Sequence, residues 1–313
     1  MKRAFMFINP RYILTIVLLF FSLSTLPKTF LVFGGKTGWI GQKLMVMLEE
    51  MGHKAIAAES RLENREAVRT EIERWSPDCV INSAGRTGVP NVDWCEDNKQ
   101  EAVRSNVLGP LNLADITYQS GIHMINIATG CIYEYDAKHS MGSGIGFKEE
   151  ETPNFHGSFY SHTKTMLDDL LLNYPNVLNL RLRMPISSDL HPRNFITKIT
   201  KYKKVVNIPN SMSILDDLLP LIPEMAERKL VGCYNFVNPG VISHNQILDL
   251  YREYMDHDFT YSNFTVEEQN EILKAKRSNN ELDTSKLQRE FPTLPSIGES
   301  MKTVFERMRE EKK

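Results

Sequence analysis

The sequence predicts an α/β protein, a doubly wound parallel sheet followed by a smaller C-terminal substrate-binding region. Three observations predict it. Short apolar runs alternate with helical-period segments through residue 183, the first strand-to-helix junction is built of glycines, and the alternation loosens after about Pro185. The bulk composition agrees: 313 residues, 42% hydrophobic and 24% charged, suit one large α/β unit with an appendage.

Taken in order, the β-branched and aromatic run at 30–33 reads as a buried parallel strand ended by Gly34-Gly35. Residues 39–51 carry apolar side chains at helical spacing, with Gly52 as a stop. A strand at 54–58, a charged amphipathic helix at 63–75 and a strand at 78–82 follow. Next come a helix over 100–120, a strand at 123–128, a helix over 160–173 and a strand at 176–183. Beyond these, short strands at 204–208 and 232–238 mix with helices at 215–228, 244–254 and 266–273, and a charged amphipathic helix runs from Ser296. The expected division is an apolar leader at 1–28, a dinucleotide-binding domain at 29–190, and a mixed α/β region at 191–313 with some segments returning to the first domain.

The charge balance, 37 basic against 39 acidic residues for a net −2, argues against a nucleic-acid partner. Cys79, Cys95, Cys131 and Cys233 are scattered, with no CxxC pair and no histidine cluster. Neither a disulfide framework nor a metal site is expected.

Gly35-Lys36-Thr37-Gly38-Trp39-Ile40-Gly41 places a GxxGxxG between the first strand and the first helix. Glycines there permit a tight turn and let backbone N–H groups and the helix N-terminus approach a pyrophosphate. This makes the domain Rossmann-type, with the spacing of short-chain dehydrogenases. The ribose 2′ position is read at the end of the second strand, where Glu59-Ser60-Arg61 stands. Arg61 is suited to a 2′-phosphate, with Ser60 and Lys36 in support; a solvated surface charge is the alternative. NADPH is the expected cofactor, with NADH left open. Asn82-Ser83-Ala84-Gly85 closes the third strand, and Ala84 and Gly85 are expected to border the nicotinamide ribose.

Met1-Lys2-Arg3 precedes an apolar run at 13–26, shorter than the roughly 20 residues of a membrane span. It reads as a signal peptide or anchor, or as an extension that meets no translocon. A nicotinamide domain starting at about Thr29 leaves almost no spacer after a cleaved signal. A cytoplasmic enzyme is expected, with a signal or membrane anchor left open.

Tyr160-Ser161-His162-Thr163-Lys164 is a YxxxK motif opening a helix, with Tyr160 and Lys164 on one face. A cation near the phenol is expected to favour phenolate and make Tyr160 an acid/base near neutral pH. Thr129, at the end of the preceding strand, is the expected partner of a substrate carbonyl. His162 points off that face and is read as a surface or packing residue.

At these residues the chain resembles the extended short-chain dehydrogenases/reductases of the dTDP-4-dehydrorhamnose reductase superfamily. Within them it is most similar to the bifunctional nucleotide-rhamnose synthase/epimerase-reductases. The glycine turn carries the resemblance, together with Asn91-Val92-Asp93-Trp94-Cys95-Glu96, Ala128-Thr129-Gly130-Cys131-Ile132-Tyr133, Arg183-Met184-Pro185-Ile186 and Arg277-Ser278-Asn279-Asn280. It spans about residues 29–307. It implies a UDP- or dTDP-4-keto-6-deoxy-D-glucose substrate, inverted at C3 and C5 and then reduced at C4 with NADPH to the nucleotide-activated L-rhamnose.

The C4 ketone acidifies the C3 and C5 protons, and the enolate charge collects on O4, where Thr129 and Tyr160 stabilise it. Inversion needs proton carriers on opposite faces of the sugar. Cys131 is the candidate on one face, standing where the resemblance implies an aromatic residue in simple reductases, and Lys198 on the other. Packing and surface roles are their plainer readings. Asn194 and Arg277 are expected to touch substrate, Arg277 at the diphosphate. The loop at 142–147 is expected to fold over the sugar, and Asn106 to be either architectural or catalytic. A homodimer is compatible with the sequence. The alternatives are a 4-reductase without epimerase activity and a non-catalytic NADP-binding subunit like the regulatory subunit of methionine adenosyltransferase.

Overall fold

A computed structural model describes residues 26–89 and 91–311. Most of the leader therefore lies outside the described residues. Among those described, no helix is long and apolar enough to cross a membrane.

Six strands form one parallel sheet: β1 (Thr29–Phe33), β2 (Lys54–Ala57), β3 (Cys79–Asn82), β4 (His123–Thr129), β5 (Val177–Leu182) and, past six short elements, Gly232–Asn235. Two of those elements are the paired residues Lys204–Val205 (β6) and Pro209–Asn210 (β7), which makes the sixth sheet strand β8. The order is β2-β1-β3-β4-β5-β8, reversing direction of growth at β1, as a doubly wound sheet does. All five pairings are parallel. Strands β3 and β5 are buried at every residue, their apolar side chains interrupted only by the buried polar residues Asn82, Asn179 and Arg181.

One face of the sheet packs Val32, Ile81, Ile125 and Leu180 against the helix Trp39–Glu50 and the segment 215–226. The other packs Leu31, Val80 and Met124 against Val68, Leu113 and Leu167 of the helices Arg65–Trp75, Gly109–Gln119 and Phe159–Leu171. Each fully buried Leu, Ile or Val contributes ~1.5–3 kcal/mol. A third cluster joins Ile196, Ile199, Val205, Ile247 and Leu248 to Met301, Val304 and Phe305 of the C-terminal helix Ile297–Glu311, and forms the smaller lobe. Segments beyond residue 191 also serve the sheet: β8 is its edge strand, and Leu215, Leu218 and Ile222 lie in its core.

The helix expected over 100–120 is not continuous. It begins at Lys99–Val103, passes through a π-helical turn at Arg104–Leu108 and resumes at Gly109–Gln119. The turn projects Asn106 inward. Its Nδ2 donates to the Arg86 carbonyl at 2.9 Å and its Oδ1 accepts from the Arg86 N–H at 2.8 Å. Asn106 is thus an architectural clamp on the loop after β3, of the kind π-turns often supply beside functional sites. The helices Trp94–Asp97 and Ser285–Glu290 carried no sequence signal strong enough to predict them.

Candidate active site

A cleft of about 1650 Å³ opens along the C-terminal ends of the strands and continues between the two lobes. At one end lies the glycine turn. Gly34 adopts φ +85°, and a Cβ on it would stand 2.7 Å from Ser83 Oγ. A Cβ at Gly38 would stand 2.7 Å from the Gly34 carbonyl oxygen, and one at Gly41 would collide with the same oxygen. The steric triplet is therefore Gly34, Gly38 and Gly41. Gly35, expected as its first member, has no positive φ and sits over Met45, outside the cleft lining. Gly41 is also outside the lining and acts through packing, whereas Lys36, Thr37, Gly38, Trp39 and Ile40 line the cleft. Gly38 caps the helix without a side chain, and the first turn holds no acidic residue. Its free N–H groups and positive dipole end are left for an anion.

The residues after β2 divide differently from expectation. Glu71 accepts from Glu59 N at 2.7 Å, Ser60 N at 2.9 Å and Ser60 Oγ at 2.5 Å. The Ser60 hydroxyl donates to that carboxylate, which anchors the loop, while Ser60 itself lines the cleft. Lys36 faces Glu59 across 3.5 Å with both side chains exposed. Arg61 lines the cleft and is exposed.

At the centre of the cleft, Ser158 caps the helix Phe159–Leu171, and Ser161 Oγ donates to the Cys131 carbonyl at 2.6 Å. That bond pins the helix start to the end of β4, so Thr129, Cys131, Tyr160 and Lys164 share one wall of the cleft. Thr129 hydrogen-bonds the Tyr160 side chain, and Thr129 Oγ1 accepts from Cys131 N at 3.1 Å. Lys164 reaches the end of β3: a Cβ at Gly85 would stand 3.4 Å from its Nζ. Ser83, Ala84 and Gly85 also line the cleft.

Burial pushes the Tyr160 phenol well above its ordinary range, with Cys131 adding to the effect and the Thr129 hydrogen bond opposing it. The expected phenolate is corrected to a neutral phenol, because desolvation outweighs any cation nearby. Burial pushes Lys164 down to about 8, against the opposing influence of Cys95 and Asp168. The wall thus offers a proton donor beside a buried amine. His162 is exposed, as its position in the helix implies.

The smaller lobe supplies the facing wall. Lys198, on the helix Phe195–Ile199, lines it half-buried, and burial followed by Arg193 lowers its pKa. Arg277 lines the cleft but is held by Asp93 at 2.8 Å and the Ala275 carbonyl at 2.6 Å. Asn194 does not reach the cleft. It is fully buried, its Nδ2 donates to the carbonyls of Ser187 and Asp189 at 2.7 and 2.6 Å, and its Oδ1 caps the helix by accepting from Ile196 N. Every polar atom of its side chain is spent on backbone, so it is a structural cap and not a substrate contact. The loop at 142–147 is also absent from the lining. Phe147 instead packs behind β4 with Tyr133 and Leu282, and its backbone bridges to Leu282.

Sequence reasoning missed a buried polar chain beneath the site. Asn82, Asn126 and Asn179 stand in register on β3, β4 and β5. Asn82 Nδ2 donates to Asn126 at 2.8 Å, Asn126 Nδ2 to Asn179 at 2.7 Å, and Asn179 Nδ2 to Asp168 at 2.6 Å. Asp168 lies one turn beyond Lys164 on the same buried face and pairs with Arg181 at 2.5 Å. At the other end, Asn82 Oδ1 accepts from Ala84 N at 3.0 Å. The chain ties the loop after β3 to the helix bearing Tyr160 and Lys164. Its signal was an asparagine inside each of three aliphatic runs.

With this geometry in place, comparison with known proteins is decisive for the family. Residues 28–310 match the family described as the RmlD substrate binding domain. The chain belongs to this family. An Arabidopsis thaliana bifunctional dTDP-4-dehydrorhamnose 3,5-epimerase/dTDP-4-dehydrorhamnose reductase is 60% identical over 279 residues, 88% of this chain and 92% of that protein. An Arabidopsis trifunctional UDP-glucose 4,6-dehydratase/UDP-4-keto-6-deoxy-D-glucose 3,5-epimerase/UDP-4-keto-L-rhamnose-reductase is 58% identical, with 87% of this chain covering 41% of that protein. The crystal structure of a UDP-rhamnose synthase from Acanthamoeba polyphaga mimivirus superposes with a TM-score of 0.86 at 42% identity, covering 90% of this chain and all of that one. These matches make this member of the RmlD family an oxidoreductase enzyme. A dTDP-4-dehydrorhamnose reductase from Bacillus anthracis, at 18% identity and a TM-score of 0.76, shares the fold.

Proposed function

We propose that the protein is an NADPH-dependent 3,5-epimerase/4-reductase that converts UDP- or dTDP-4-keto-6-deoxy-D-glucose to the nucleotide-activated L-rhamnose. One observation carries the reading: Thr129, Cys131, Tyr160 and Lys164 converge on one wall of a cleft whose other wall presents Lys198. The name of the 60% identical relative carries the same pairing of activities, and that of the mimivirus synthase a rhamnose nucleotide as product.

The residues fit the cofactor. The side-chain-free helix start at Gly38 suits a pyrophosphate, exposed Arg61 suits a 2′-phosphate, and Lys164 beside Gly85 suits the hydroxyls of a nicotinamide ribose. NADPH, when bound, supplies the hydride that C4 accepts.

Thr129 and Tyr160 hydrogen-bond the C4 carbonyl and stabilise the negative charge that enolisation places on O4. Cys131 and Lys198 carry the protons removed from and returned to C3 and C5 on opposite faces. A lysine whose pKa burial lowers is a better base than a solvated one. In the reductive step the Tyr160 phenol, kept protonated by burial, delivers its proton to O4. Lys164, on the same helix face, carries its ammonium charge below about pH 8.

The test is direct. The purified full chain, incubated with each nucleotide-4-keto-6-deoxyglucose and NADPH, is expected to oxidise NADPH and yield a nucleotide-L-rhamnose identified by NMR. A product with unchanged C3 and C5 configuration would leave only the reductase.

A further inference from the structure

The glycine turn and the helix that carries Lys198 belong to different lobes, and one carboxylate joins them behind the cleft wall. Trp39 is the first residue of the helix Trp39–Glu50, so its backbone N–H belongs to the turn kept for a pyrophosphate. Its side chain does something else: the indole Nε1 donates to Asp189 Oδ2 at 3.0 Å. Lys43, one turn further along the same helix face, pairs with that same oxygen at 2.8 Å. The other oxygen, Oδ1, accepts from His191 N at 2.9 Å. The His191 ring then stacks on Trp39, with centroids 5.3 Å apart and planes 3° from parallel, and its Nδ1 accepts from Arg193 N at 3.1 Å.

From Asp189 the contacts continue into the smaller lobe. The Asp189 carbonyl accepts from Asn194 Nδ2 at 2.6 Å, and Asn194 Oδ1 caps the helix Phe195–Ile199. Trp39 and Lys198 both line the cleft, whereas Asp189 and His191 do not. Burial opposes the charge on Asp189, but Lys43, the His191 N–H and the Trp39 N–H together hold its carboxyl below the usual carboxylate range. The joint is therefore an ionised carboxylate at neutral pH, whose bonds are charge-assisted and directional. Its donors come from the start of the cofactor helix on one side and from the segment leading to Lys198 on the other.

We propose that Asp189 is a positioning residue that couples the glycine turn to Lys198, so that a cofactor seated on the turn orders the helix Phe195–Ile199. Its bearing on proton transfer rests on the role given to Lys198 above. Trp39 is shared between the two ends: a displacement of the first turn moves an indole whose N–H and ring face are both held by the segment 189–191. The coupling is reciprocal, so order in the smaller lobe strengthens cofactor binding by the same factor.

The test measures amide hydrogen exchange in the segment 186–201 of the full chain, free and saturated with NADP+. Wild type is compared with Asp189→Ala and with Asp189→Asn, which keeps one acceptor oxygen but no charge. In the wild type, NADP+ is expected to slow exchange in this segment about fivefold or more. In Asp189→Ala the effect is expected to shrink to about twofold or less at saturating NADP+, with the glycine turn still protected. Asp189→Asn is expected to fall between and is the variant read if Asp189→Ala fails to bind NADP+. A merely structural role would speed exchange in the free and bound variant alike and keep the NADP+ effect, and that result overturns the proposal. So does a wild type that binds NADP+ without protecting the segment. Solvent deuterium uptake at C3 and C5 of the 4-keto sugar, measured with NADP+ so that no reduction occurs, is expected to slow about tenfold in Asp189→Ala. Unchanged uptake there overturns the link to Lys198. A wild type that protects the segment yet exchanges neither proton removes the epimerase reading and leaves the coupling in place.

Discussion

The guanidinium of Arg183 stands against the thiol of Cys131, its Nη1 3.9 Å from Sγ. Arg183 is fully buried, and its other bonds go to neutral acceptors: the Gly130, Ser211 and Ser278 carbonyls, Ser278 Oγ and Asn210 Oδ1. In the proposed epimerisation, negative charge on the Cys131 sulfur would thus meet a preorganised cation. Positioned proton carriers contribute about 10²–10⁴-fold to rate. Cys131→Ser is therefore expected to slow rhamnose formation from the 4-keto-6-deoxyglucose substrate at least ~100-fold, with NADPH affinity within about twofold. Solvent deuterium uptake at C3 and C5, followed by NMR, is the measurement. Full uptake in the variant would remove Cys131 from the proton transfers while leaving the epimerase activity in place.

Lys164 carries a stability cost that function requires. Its ordinary value of 10.5 is lowered to about 8, chiefly by burial. Below pH 8 the folded and unfolded chains both hold the proton, and folding bears the full desolvation penalty, of order 3 kcal/mol. Between about 8 and 10.5 the unfolded chain binds more protons, so this group's contribution to stability rises with pH and the penalty disappears by 10.5. Lys164→Met is expected to be more stable than wild type by ~1–3 kcal/mol at pH 7, with the gap closing toward pH 10. It is also expected to lose most activity. Wild-type reduction is expected to decline as pH rises through about 8, where the ammonium is lost. Urea unfolding of both proteins across pH, beside a pH–rate profile, checks both limbs.

The asparagine chain under the site makes a third expectation. Asn126 is buried, bonded to Asn82 on one side and Asn179 on the other. Asn126→Ala leaves a buried amide N–H of Asn82 and a carbonyl of Asn179 unpaired, each costing about 1–3 kcal/mol, and leaves a small cavity as well. A loss of ~2–4 kcal/mol is expected, with a rise in KM for NADPH because Asn82 also holds Ala84 at the cleft. Isosteric Asn126→Leu tests the origin of the loss. If it is as stable as wild type, the polar chain contributes nothing to the fold.

The alternation of strands and helices was legible because β3 and β5 are buried at every residue and are apolar apart from the paired polar residues Asn82, Asn179 and Arg181. Tyr160, Lys164 and Thr129 were legible because helix spacing and strand ends dictate where they point. What escaped depends on contacts between segments far apart in the chain. Asn194 looked like a polar residue free for substrate, and only the fold brings it the Ser187 and Asp189 carbonyls. Ser60 donates its hydroxyl to Glu71 on the next helix for the same reason. Gly34 was passed over for Gly35 because spacing alone does not say which glycine takes the positive φ.

The preference for NADPH reduces to one exposed side chain. With Ser60 donating to Glu71 and Lys36 facing Glu59, Arg61 is the cation at the end of β2 left available for a 2′-phosphate. A guanidinium–phosphate contact is charge-assisted and bidentate, but Arg61 is solvated and salt screens it. Its worth is therefore modest, and Arg61→Ala is expected to raise KM for NADPH about tenfold while leaving KM for NADH within about twofold. The wild-type preference is expected to shrink as salt rises from 50 to 500 mM, approximately, because the screening length falls across that range. The variant, having no charge to screen, should show a flat response. Steady-state kinetics with both cofactors at two ionic strengths decides it: an equal loss for NADH and NADPH would move the 2′-phosphate contact to Lys36.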